Sequence, residues 1–163
     1  ESVGYQSWGY RAGEDYHSDA YLIRSMQKVM AKGGNYLLNV GPRADGTIPE
    51  AQASAILGLG QWLKQNGEAI YATVPWTRPA DSLEDGTQVA YTCKGKTLFI
   101  HMLESSTTGF LEIPRLGNFH DGRIFLLGID KPLDWKYSGG RLRISLPPSM
   151  PGPVPVIRVE MSS

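Results

Sequence analysis

Lys32-Gly33-Gly34-Asn35-Tyr36-Leu37-Leu38-Asn39-Val40-Gly41-Pro42 decides how the first half of this 163-residue chain is read. Tyr36 to Val40 is a short, nearly continuous apolar run, as expected of a parallel-sheet strand covered on both faces. Gly33-Gly34 stops whatever precedes it, and Gly41-Pro42 stops the strand. Upstream, Ser18 and Asp19 offer a helix N-cap, and Leu22, Ile23, Met26, Val29 and Met30 recur at helical spacing up to Gly33. This predicts an amphipathic helix of about three to four turns. Downstream, Asp45-Gly46 makes a turn and Pro49 suits the first position of a second helix. Ala55, Ile56, Leu59, Trp62 and Leu63 form the buried stripe of that helix, with Trp62 in the core, and Asn66-Gly67 closes it.

Helix, strand and helix in that order are the last units of a βα barrel, too few to close one alone. From about residue 80 the composition changes to short strands broken by Gly and Pro. Val89-Ala90-Tyr91-Thr92-Cys93 reads as a strand carrying a half-buried thiol at Cys93. In the next, Leu98, Ile100 and Met102 alternate with Phe99, His101 and Leu103, a strand whose second face is more apolar than usual. Further strands are expected at Phe110 to Ile113, Arg123 to Leu127, Leu133 to Tyr137, Arg141 to Leu146 and Val156 to Met161. The fold class is therefore α/β followed by all-β: the last βα units of a (β/α)8-like barrel plus a C-terminal antiparallel β-sandwich. The boundaries are residues 1–76 for the barrel part, 77–86 for a linker containing Pro79 and Asp81, and 87–163 for the sandwich.

Sixteen basic residues balance sixteen acidic ones. That leaves no electrostatic footprint for nucleic acid or an anionic membrane, and points to a neutral partner. No run of about 18 apolar residues occurs, so no membrane span is expected. His17, His101 and His120 lack ligand spacing and read as ordinary polar positions, so neither a metal nor another cofactor is expected. Gly33-Gly34 and Gly58-x-Gly60 lack the strand, glycine spacing and helix order of a phosphate loop.

Ser7-Trp8-Gly9-Tyr10, Glu14-Asp15-Tyr16, the Lys32 to Pro42 stretch, Asp45-Gly46-Thr47-Ile48-Pro49, Trp62-Leu63, Asn66-Gly67-Glu68-Ala69-Ile70-Tyr71 and Pro75-Trp76 stand in this order. As an ordered set covering roughly residues 1 to 76, they resemble the α-L-fucosidases of glycoside hydrolase family 29. The resemblance implies retaining hydrolysis of α-L-fucosides, with an Asp nucleophile and a second carboxyl acting as acid and then base. Such a pair stands roughly 5 to 5.5 Å apart. It also implies that the nucleophile lies upstream of the Trp8-Gly9-Tyr10 motif, outside this chain, and it makes Glu1 a candidate acid/base. Trp8, Tyr10 and Tyr16 are candidate substrate-binding walls, because flat rings cover the apolar face and methyl group of fucose without stranding polar groups. The other reading of Trp8 and Tyr10 is that they brace the loop against the following helix. Glu14 and Asp15 read as complements to a helix dipole. Asn39 reads as a buried structural residue or as a hydrogen-bonding group across the barrel.

The expected partner is a fucosylated oligosaccharide or glycoconjugate, together with either an upstream barrel portion or a second copy of the chain, since unpaired sheet edges are templates for pairing. A different class of function remains open at this point: a non-catalytic carbohydrate-binding or interaction module in which the sandwich presents Trp135, Tyr137 or Phe119. The alternation of Leu133, Trp135 and Tyr137 fits an inward-facing row equally well.

Overall fold

A computed structural model describes residues 1–117, 119 and 121–161. His120 lies outside the described residues. Helix α1 spans Asp19–Met30, capped as expected by Ser18, whose hydroxyl accepts the Tyr21 N–H. Helix α2 spans Glu50–Asn66, with Pro49 one position earlier than expected, at the N-cap. A single 3-10 turn, Gly67–Ala69, follows.

Between the helices the expected Tyr36–Val40 strand is extended but nearly unpartnered. It makes one parallel bridge, Ser2 to Asn39, with the extended segment at residues 1–4. The Val3 and Asn39 amides alternate along it, donating to the carbonyls of Asn39 and Glu1 at 3.0 and 3.1 Å. Residues 15–17 return antiparallel on the other edge of residues 1–4 through the Gly4 to Tyr16 bridge. The expectation of a strand covered on both faces is corrected: Leu38 and Val40 pack towards Val3, Leu22 and Ala55, whereas Leu37 is 68% exposed.

Among the described residues the second half holds eight strands: β1 Val74–Ser82, β2 Gln88–Lys94, β3 Thr97–Met102, β4 Phe110–Pro114, β5 Gly122–Leu126, β6 Trp135–Ser138, β7 Arg141–Ser145 and β8 Val156–Met161. They form a five-stranded sheet in the order β1-β2-β3-β8-β5 and a three-stranded sheet in the order β4-β7-β6. Every pairing between the named strands is antiparallel. The segment expected as a linker is mostly strand β1: its carbonyls and amides pair with β2, with an irregularity between Pro75 and Ala80 that accommodates the prolines.

Burial explains the two kinds of strand pattern. β7 alternates strictly, with Leu142 and Ile144 buried and Arg141, Arg143 and Ser145 exposed, because its sheet is covered on one face only. β3 is buried at every position from Leu98 to Met102. Leu98, Ile100 and Met102 face the other sheet in the sandwich core. Phe99 belongs to a second core with Ile23, Met26, Leu59, Trp62, Leu127, Val154 and Val156, which joins the helices to the five-stranded sheet. The unusually apolar second face of β3 is thus the face that docks α1 and α2.

Candidate functional site

The extended segment at residues 1–4 leads into a loop, Tyr5 to Tyr10, that lies across the C-terminal end of residues 36–40. Close approach is what lets it sit there: a Cβ on Gly41 would stand 2.5 Å from the Gly9 carbonyl carbon. The peptide of Gly41 is itself gripped on both sides by the buried Gln52 side chain of α2, which accepts its N–H at 2.9 Å and donates to its carbonyl at 3.3 Å. Asn39 donates from its side-chain amide to the Trp8 carbonyl. Ser2 donates to the Ser7 carbonyl at 3.1 Å, and the Gly9 N–H donates to the Ser7 hydroxyl at 3.1 Å.

The backbone is held while the rings are left free. Trp8 is 60% exposed and Tyr10 44%, and the Arg43 guanidinium lies 5.6 Å from the Tyr10 ring centroid. Arg43 comes from the turn after residues 36–40. There the Asp45 carboxyl accepts the Thr47 N–H at 3.0 Å and the Thr47 hydroxyl at 2.7 Å. The two Thr47 donors hold that carboxyl below its usual range. Two exposed rings, with a cation beside one of them, thus lie beyond the C-terminal end of residues 36–40.

Tyr16 and Glu1, the other expected site residues, face elsewhere. Tyr16 packs against Val3, Leu22 and Ala55, behind the loop rather than on its exposed side. Glu1 shares the side of Val3, because side chains alternate along extended chain. Its carboxylate accordingly meets α1: the Tyr21 hydroxyl lies at 3.5 Å, the Ser25 hydroxyl at 3.2 Å and His17 Nε2 at 4.0 Å. His17 is itself sandwiched between the Tyr5 and Tyr21 rings, at centroid distances of 4.1 and 3.9 Å. Asn39 does hydrogen-bond away from its own strand, to the loop. Glu14 differs from its expected role at a helix N-terminus: it accepts the Gln6 and Ser7 amides at 2.6 and 2.7 Å. Neither Glu14 nor Gln52 announces this in the sequence, since both act on backbone atoms that no side-chain pattern encodes.

His101 was expected at an ordinary polar position and is instead fully buried between β3 and α1. The Thr92 hydroxyl donates to the Ala69 carbonyl at 2.7 Å and therefore accepts from His101 Nε2–H at 2.8 Å. This leaves Nδ1 to accept from the Gln27 amide at 3.0 Å. The sandwich aromatics turn inward: Phe119 is buried, Trp135 and Tyr137 pack against the same core, and Phe119 meets Trp135 edge-on at 4.8 Å.

Comparison with known proteins places the geometry in a family. Residues 1–68 match the family model for α-L-fucosidase. Human tissue α-L-fucosidase is 36% identical over 158 residues, a match that takes in 94% of this chain and 34% of that protein. Human plasma α-L-fucosidase is 36% identical over 141 residues, covering 79% of this chain and 28% of the relative. The chain thus spans about a third of the length of the curated relatives it matches. Among solved structures, the Thermotoga maritima α-fucosidase in complex with fucose superimposes with a TM-score of 0.87 at 35% identity, over 98% of this chain and 38% of that one. With an ordered motif set, a shared fold and this level of identity, the chain belongs to the α-L-fucosidases of glycoside hydrolase family 29 and corresponds to their C-terminal portion.

Proposed function

We propose that the chain is part of a retaining α-L-fucosidase that removes terminal α-L-fucose from glycans, and that it contributes one wall of the sugar site. The observation that carries this reading is the pair of exposed rings, Trp8 and Tyr10, on a loop whose backbone is tied to residues 2, 39 and 41. Rings so held present a flat apolar surface at little entropic cost, which suits the methyl-bearing face of fucose. Support also comes from the Thermotoga maritima relative, whose structure contains fucose.

In this reading the chemistry is a double displacement: a carboxylate attacks the anomeric carbon while a protonated carboxyl protonates the departing oxygen, and water then releases the sugar from the enzyme. The wall residues offer no acid of their own, and the Glu1 carboxylate is directed at Tyr21 and Ser25 of α1. The nucleophile, and with it the acid/base, is therefore taken to come from polypeptide beyond these 163 residues. The same polypeptide covers the side where Leu37 is 68% exposed. A second copy of the chain is the competing cover, and a stable monomer in light scattering removes it.

The test is direct. Millimolar L-fucose should shift the Trp8 indole N–H resonance of the 163-residue chain, and Tyr10→Ala should weaken that response. An aryl α-L-fucoside should remain intact in its presence. Absence of any Trp8 response would overturn the wall, and efficient hydrolysis by this chain alone would overturn the placement of the reacting carboxyls.

A further inference from the structure

We infer that Glu14 is the positioning residue of the aromatic loop: its carboxylate, by accepting two consecutive backbone N–H groups, fixes the conformation in which Trp8 and Tyr10 are presented. Oε1 of Glu14 accepts from Gln6 N at 2.6 Å and from Ser7 N at 2.7 Å. Bonds of this length to a carboxylate are charge-assisted and stronger than neutral ones. The very next residue after the clamped amides is Trp8.

Three features make the clamp specific. The Asp15 carbonyl accepts the Tyr5 N–H at 3.1 Å and the His17 N–H donates to the Val3 carbonyl at 2.9 Å, so the residues flanking Glu14 are locked in register with the segment that feeds the loop. Gly4 leaves the room: a Cβ there would stand 2.8 Å from Glu14 Oε1 and 2.9 Å from its carboxyl carbon. Beyond the clamp, Ser7 relays the constraint, its carbonyl bound by Ser2 and its hydroxyl by the Gly9 N–H. Glu14 acts on the rings through the backbone amides that it binds.

Only the link from the loop to fucose rests on the function proposed above; the clamp itself does not. The experiment uses the 15N-labelled 163-residue chain and its Glu14→Ala and Glu14→Gln variants. In Glu14→Ala, amide exchange at Gln6 and Ser7 should accelerate about tenfold or more, as loss of a hydrogen bond to a charged group predicts. Amides within α1 should be unchanged and the Trp8 indole should become more mobile. Glu14→Gln, which keeps an acceptor without its charge, should restore much of the protection while moving both amide protons upfield. Unchanged exchange in Glu14→Ala, or unchanged shifts at both amides in Glu14→Gln, would overturn the clamp, and the second readout stands even where the first variant fails to fold. A loosened loop with an undiminished Trp8 response to L-fucose would overturn the positioning role. A loop that loosens in a chain whose Trp8 never answers to fucose would instead sink the sugar-site reading and leave the clamp standing.

Discussion

The two halves of the molecule are stabilised in opposite ways. In the sandwich, each strand finds a hydrogen-bonded neighbour and two sheets close over one core. In the first half, three short extended segments are joined by two isolated bridges, and the face that carries Leu37 lies open. So little pairing cannot order a parallel sheet by itself. What holds α1 and α2 is the five-stranded sheet of the other half: the Phe99, Val154 and Val156 core, together with Arg24 donating to the Leu103 carbonyl at 2.6 Å and Trp62 to the Val154 carbonyl at 2.8 Å. The seam between the halves, and not the sparse pairing of residues 1–4 with 36–40, therefore anchors the helices of the first half.

The hardest blow to that seam is Trp62→Ala. It removes a buried indole and strands the Val154 carbonyl, and should cost about 3–5 kcal/mol. Denaturation followed by far-UV circular dichroism and by Phe99-region methyl signals should show the helices lost first. Helices that survive with the stability of the unmutated chain would mean that the first half stands without the seam.

His101 gives a pH-dependent version of the same test. Burial holds its imidazole neutral, with a pKa lowered from 6.5 to about 3. The unfolded chain takes up the proton first, so the folded state is unpenalised above pH 6.5 and loses stability as pH falls from there towards 3. The slope attributable to this one group is at most about 1.4 kcal/mol per pH unit. Subtracting the stability profile of His101→Gln from that of the native chain isolates it from the carboxylates. Parallel profiles would show that this histidine does not titrate between the two states.

Smaller effects sharpen the comparison within each half. Ser18→Ala removes the cap of α1 and should cost about 1 kcal/mol, read as a lower melting temperature with the Trp8 environment unchanged. Glu68→Ala breaks a partly exposed pair with Arg158, at 3.1 Å across the seam. It should cost less than about 1 kcal/mol and respond to salt. A larger loss would mean that surface charge contributes to the seam as much as its apolar core.

Local rules reached far into this fold. The Ser18 cap, the apolar stripes of α1 and α2, the buried Trp62 and seven of the sandwich strands follow from periodicity and turn residues within a few positions of each other. Strand β1 was hidden by its prolines, which signal a linker until a neighbouring strand pairs around them. Trp8 and Tyr10 stand out in the sequence as aromatic residues, and the structure leaves both rings exposed. Tyr16 and Glu1 stand out by residue type just as much, yet one packs against Val3, Leu22 and Ala55 and the other meets α1, since residue type alone does not say on which side of an extended segment a side chain falls.

The amino-acid order by itself determined the family, the change from α/β to all-β, and the aromatic loop, because these are carried by short motifs and short-period patterns. Tertiary structure alone decided that Glu14 and Gln52 serve backbone amides, that His101 is a buried neutral link, and that β3 faces two cores at once. Each of those depends on atoms distant along the chain being brought within hydrogen-bond or van der Waals range, and only the packed structure sets such distances.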